Sequence, residues 1–131
     1  MTTVVDASLV VAALVDSGPV GRWADGVLGA GHLVAPHLLP VEVASVLRRA
    51  SAAGEISADT AGLAHRDLLG LRLELYPYEP CADRVWALRS NLTTYDAWYV
   101  ALAELLDAPL ATLDARLARS PGPTCTFATP P

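Results

Sequence analysis

The 131-residue chain contains no Lys, and all nine of its basic side chains are Arg. With a formal charge of -5, this argues against non-specific duplex binding through a broad basic face. Nucleic acid as such stays open, because acids that collect divalent cations become locally positive and an Arg fork suits phosphate better than Lys does. The two cysteines, Cys81 and Cys125, form no Cys-x-x-Cys pair, so neither a zinc site nor a disulfide framework is indicated, and reduced thiols are expected. No apolar run is long enough to span a membrane: the stretch from Ala7 to Val15 stops at Asp16, and no basic segment precedes it. A cytoplasmic protein without a membrane anchor is the expectation. Gly-x-Ser-x-Gly and Gly-x-x-x-x-Gly-Lys are both missing, and His32, His37 and His65 lack helical metal-ligand spacing. That leaves no motif for a nucleophile elbow, a phosphate loop or a histidine metal site.

Hydrophobic residues make up 53% of the chain and charged ones 18%, a balance that belongs to compact globular proteins. A chain of this length fits one domain, residues 1–131, and buries roughly two-thirds of its unfolded surface. Five short apolar runs bounded by turn signals read as buried strands: Thr3 to Val5, Leu33 to Ala35, Leu73 to Tyr76, Leu110 to Thr112 and Thr124 to Phe127. Helical patterns fill the gaps at Ala7 to Val15, Val20 to Leu28, Leu38 to Ala53, Ala58 to Leu71, Ala82 to Ser90, Tyr95 to Leu106 and Ala115 to Arg119. Strands apolar along their whole length and alternating with helices predict a parallel sheet covered on both faces.

Four acids stand at the edges of these apolar segments: Asp6, Glu42, Asp96 and Asp114. Asp6 ends the run Thr3-Val4-Val5 and Asp114 follows Ala111-Thr112-Leu113, so both fall beyond strand carboxyl ends, where open α/β sheets bind ligands. Each is also a natural helix cap. Glu42 borders the apolar arc of its helix on the Leu38 side, which predicts partial burial with a partner, either within a site or as a salt bridge to an Arg. Asp96 lies in the first turn of a strongly apolar helix, where free N–H groups favour a carboxylate with or without a further role. Ser8 and Thr112 lie two residues from Asp6 and Asp114 and supply hydroxyls to a shared site. Four carboxylates in one crevice raise one another's pKa, and a hard divalent cation resolves that conflict. A donor set without His or Cys fits Mg²⁺ or Mn²⁺, whose usual work is phosphoryl chemistry. Arg48, Arg49, Arg116 and Arg119 are candidates for phosphate contacts or for solvated helix faces. Trp23, Trp86 and Trp98 sit among apolar neighbours and read as core.

The order of these segments carries a family resemblance. Val4-Val5-Asp6-Ala7-Ser8, Pro40-Val41-Glu42-Val43-Ala44, Thr94-Tyr95-Asp96-Ala97-Trp98-Tyr99 and Thr112-Leu113-Asp114-Ala115-Arg116-Leu117 together resemble a PIN-domain ribonuclease of the VapC toxin type. The resemblance covers nearly the whole chain. It implies a three-layer α/β/α sandwich around a five-stranded parallel sheet, with Asp6, Glu42, Asp96 and Asp114 converging on Mg²⁺ or Mn²⁺. It further implies that Asp6 and Asp96 are the most direct metal ligands, Glu42 and Asp114 act directly or through water, and Ser8 and Thr112 orient them. RNA is the implied substrate, hydrolysed by in-line attack of water without a covalent enzyme intermediate. A homodimer and a VapB-type antitoxin are the implied partners. The competing reading is a PIN-like module without activity that serves only as a binding partner. Receiver domains and haloacid-dehalogenase-like phosphatases also gather acids around Mg²⁺, but both are known for a functional Lys, which this chain lacks.

Overall fold

The computed structural model describes residues 1–131. Along the chain the elements are β1 (Thr2–Val5), α1 (Ala7–Val15), α2 (Pro19–Leu28), β2 (His32–Pro36), α3 (Leu39–Ala52) and α4 (Ala58–Leu69). β3 (Leu73–Tyr76) leads through a 3-10 turn at Glu79–Cys81 into α5 (Ala82–Ala87), then α6 (Thr94–Leu106), β4 (Leu110–Ala111), α7 (Ala115–Ala118) and β5 (Phe127–Ala128). The five strands form one sheet in the order β3-β2-β1-β4-β5, and every pair is parallel. Right-handed crossovers send the connections on the β2 and β3 side to one face and the return through α5 and α6 to the other. The contacts agree: α1, α3 and α4 pack on one another with α2 against α1, while α6 packs on β1 and β2 with α5 beside it. The result is the α/β/α sandwich anticipated from the sequence.

The apolar strands explain the sheet's position. Val4, Val5, Val34, Ala35, Leu110 and Ala111 are fully buried, as a strand covered on both faces demands. α6 is the most enclosed helix, burying Ala97 and the run from Tyr99 to Ala103. Its small residues let it lie close to the sheet, and its start is fixed by Thr93, whose hydroxyl accepts the Asp96 N–H at 3.1 Å.

Element ends moved where side chains compete for backbone. β5 was expected at Thr124 to Phe127 but pairs only over Phe127–Ala128, because the Thr124 N–H is taken by Glu104 Oε2 at 2.8 Å. The helix expected to reach Ser90 stops at Ala87, where the Arg89 guanidinium binds the Trp86 carbonyl at 2.8 Å. Trp86 itself is 66% exposed rather than core, with Arg89 stacked 4.7 Å from its ring centre.

Candidate active site

β1 and β4 lie side by side, yet the chain leaves them toward opposite edges of the sheet. That divergence opens a crevice at their carboxyl ends, the place where doubly wound sheets hold ligands. Asp6 directly follows β1 and Thr112 directly follows β4. The Asp6 N–H bonds the Ala111 carbonyl at 3.3 Å, continuing the ladder one residue into the crevice.

Asp6 is buried and held through both oxygens. Its Oδ1 accepts the Ser8 hydroxyl at 2.6 Å and the Leu9 N–H at 3.1 Å, so it also caps α1; its Oδ2 accepts the Thr112 hydroxyl. The two hydroxyls have no freedom in the matter. Ser8 Oγ receives the Leu113 N–H at 3.1 Å and Thr112 Oγ1 receives the Asp114 N–H at 2.9 Å, which turns both of their protons toward Asp6. Backbone amides from the loop after β4 thus orient a carboxylate after β1. Oδ1 has both lone pairs engaged, whereas Oδ2 keeps one open.

Glu42 comes from the first turn of α3 and is half-buried, as its place at the edge of the apolar arc predicted. Its partner is not an Arg. The Tyr99 hydroxyl donates to Oε1 at 2.6 Å, and the other oxygen carries no hydrogen bond within the protein. Tyr99 is 2% exposed and carried no predicted role in the site. Two signals pointed to more: a buried phenol needs a partner, and Tyr99 lies three residues from Asp96, on a neighbouring part of the same helix face. Burial, then Glu42, holds the phenol far above its usual range, so Tyr99 remains a donor at any working pH. Tyr99→Phe should cost about 1 kcal/mol of stability and, by freeing Glu42, about 10- to 100-fold in activity; a denaturant titration beside a rate assay separates the two.

Asp96 is half-buried at the start of α6, and Asp114 is exposed at the start of α7. Asp114 caps α7, its Oδ1 accepting the Arg116 and Leu117 N–H groups at 2.9 and 3.2 Å. Both line one groove of about 280 Å³ together with Asn91, Thr93, Arg116 and Ser120.

Three of the four acids are pushed above the ordinary carboxylate range. Burial is the largest cause for each; the charge of Asp96 adds to it for Asp6 and Glu42, and the charge of Asp114 for Asp96. Asp96 therefore couples to all the others. No cation answers them, since the close ion pairs are His32–Glu74 and Arg84–Glu104, both elsewhere. His65 lines a separate groove between α3 and α4.

The residues meet the chemical requirements of a hard cation: carboxylate oxygens, no soft donors, shared unfavourable charge, and at Asp6 and Glu42 an oxygen still open for a ligand. As the side chains stand, no three of them close into a cage. Asp6, Glu42 and Asp114 each turn toward donors of their own instead.

A family model described as the PIN domain matches residues 3–122. This chain belongs to the PIN-domain family. Ribonuclease VapC1 of Mycobacterium tuberculosis is 46% identical to this PIN domain over 123 residues, 93% of the chain and 92% of the relative. Ribonuclease VapC9 of the same organism is 40% identical over 114 residues, 87% of each chain. Among solved structures, PAE2754 from Pyrobaculum aerophilum superposes with a TM-score of 0.74 at 20% identity, over 97% of this PIN domain and 83% of that chain. VapBC2 from Rickettsia felis, bound to a fragment of promoter DNA, gives 0.69 at 13% identity over 98% of both. The structural likeness establishes the fold.

Proposed function

We propose that this PIN domain is a Mg²⁺- or Mn²⁺-dependent endoribonuclease that hydrolyses RNA phosphodiester bonds and acts as the toxin of a type II pair. The supporting observation is the set of carboxylates at the β1/β4 crevice, mutually repelling and without a cation of their own. Kinship with the VapC ribonucleases supports the choice of RNA. Asp6 and Asp96 would hold the ion most directly, with Glu42 and Asp114 completing its surroundings. A divalent ion there supplies a lowered pKa for a water and neutralisation of charge at the phosphate.

The protein's part is positioning. Asp6 is fixed as an acceptor through both oxygens by Ser8, Thr112 and the Leu9 amide. Tyr99 keeps Glu42 turned into the crevice while presenting one free oxygen. Asp96 and Asp114 form the wall of the adjoining groove, along which an extended strand can pass. The likeness to toxin-antitoxin complexes supports a VapB-type antitoxin as partner. Blockage of this crevice by that antitoxin and a homodimer as the free form belong to the same proposal.

Metal removal tests this reading through stability as well as rate. In EDTA, the raised folded values of Asp6, Glu42 and Asp96 favour the folded state fully below their unfolded pKa near 4, and that contribution is lost as pH rises through the folded values. At pH 7, Asp96→Asn in EDTA should therefore melt higher than wild type, by about 3–5 °C if the relief is about 1 kcal/mol. Adding Mg²⁺ at roughly 100 times its dissociation constant should stabilise wild type by about 2.7 kcal/mol and the variant little. Equal melting of both proteins with and without Mg²⁺, or undiminished RNA cleavage in EDTA, would sink the proposal.

A further inference from the structure

On the Glu42 side of the acids, α3 and the start of α6 enclose a second groove of about 460 Å³, walled by Leu38, Val41, Val46 and Tyr95. Glu42 and Arg49 also line it, so the groove opens directly onto the acid site. Tyr95, the residue before Asp96, is 61% exposed, and Val41 opposite is 66% exposed. An aromatic ring presented to solvent beside an apolar wall has a free face for stacking. Arg49 donates through Nη1 to Ser45 Oγ at 2.8 Å, which steers its guanidinium along α3, and it pairs with no carboxylate. Its remaining donors are free for an anion.

Those features complement one occupant. A nucleobase offers a π-face to Tyr95 and an apolar edge to Val41 and Val46, while the phosphate it carries matches the Arg49 fork. The base must be unpaired to reach the ring, which agrees with a chain too acidic for a duplex-binding face. We propose that this groove holds the unpaired nucleotide next to the cleaved phosphate, its base stacked on Tyr95 and its outer phosphate on Arg49. The subsite rests on the ribonuclease reading above and gives it a preference for flexible, unstacked RNA.

Steady-state cleavage of a short single-stranded RNA in Mg²⁺ tests this with wild type, Tyr95→Ala, Tyr95→Phe and Arg49→Gln. Tyr95→Ala should raise KM about 5- to 30-fold with a much smaller change in kcat, and Tyr95→Phe, which keeps the ring, should rescue it. Arg49→Gln should raise KM and lower the slope of log KM against log salt by about 0.7, the signature of one lost single-strand phosphate contact. Wild-type cleavage with KM unmoved in both Tyr95→Ala and Arg49→Gln overturns the subsite and leaves the ribonuclease reading standing. Equal loss of kcat in Tyr95→Ala and Tyr95→Phe at constant KM also overturns it, since that is a structural effect. No cleavage by wild type overturns both readings.

Discussion

Asp6→Asn is expected to lower RNA cleavage by about 10³-fold while leaving a folded protein, the largest functional effect of any single substitution here. The hydrogen bonds dictate the outcome. Oδ1 accepts from Ser8 and the Leu9 amide, so the new oxygen must stay there and the amide nitrogen must take the Oδ2 position. That puts donor hydrogens where the free lone pair pointed and removes the charge a cation would meet. Thr112 then faces a donor instead of an acceptor, a mismatch that costs about 1 kcal/mol and is partly offset by loss of a buried charge. Asp6→Ala is the informative contrast. It also strips the cap from α1 and leaves the protons of both hydroxyls without their acceptor, so it should lose stability as well as rate. Circular dichroism and a rate measurement on purified Asp6→Asn decide the matter: activity within tenfold of wild type would mean that Asp6 serves only as a cap.

Much of this arrangement could be read from local patterns, and the rest depended on contacts far apart in sequence. β-branched runs ending in Asp marked the strand ends, so Asp6 and Asp114 were placeable before any fold was known. The arc of α3 predicted that Glu42 would be half-buried, because helical periodicity is a local property. What periodicity could not supply was strand order: nothing in Leu110-Ala111 says that it pairs with β1 rather than β3. The roles of Ser8 and Thr112 were expected as hydroxyls near acids, but the way amides of Leu113 and Asp114 fix their protons needs residues more than a hundred positions apart. Tyr99 was hidden by the same limit, since its partner lies 57 residues away on another helix. β5 was shortened by a single side chain, Glu104, whose reach no hydrophobic pattern encodes.

Gly21→Ala is expected to be the most disruptive small change, destabilising the domain by about 3 kcal/mol and lowering Tm by roughly 10–15 °C. Gly21 is buried in α2 where that helix crosses the end of α1, and a methyl group added there would meet the Asp16 carbonyl oxygen at 1.7 Å. The neighbouring link cannot easily give way. Asp16 bonds back to the Ala12 carbonyl, its side chain accepts the Gly18 N–H at 2.8 Å, and Arg22 binds the Ser17 carbonyl at 2.9 Å. The helices must therefore move apart, and α1 is the helix whose first turn holds Asp6 and Ser8. Strain introduced at its far end is transmitted along a rigid element, so cleavage should fall even at temperatures where the variant stays folded. Gly26→Ala supplies the control within α2: an added methyl there meets nothing within 4 Å, and replacing a helical Gly should stabilise by about 0.5–1 kcal/mol. Urea midpoints that move in opposite directions for the two substitutions would establish the close crossing of α1 and α2. Midpoints that move together would show that the crossing is looser than this geometry requires.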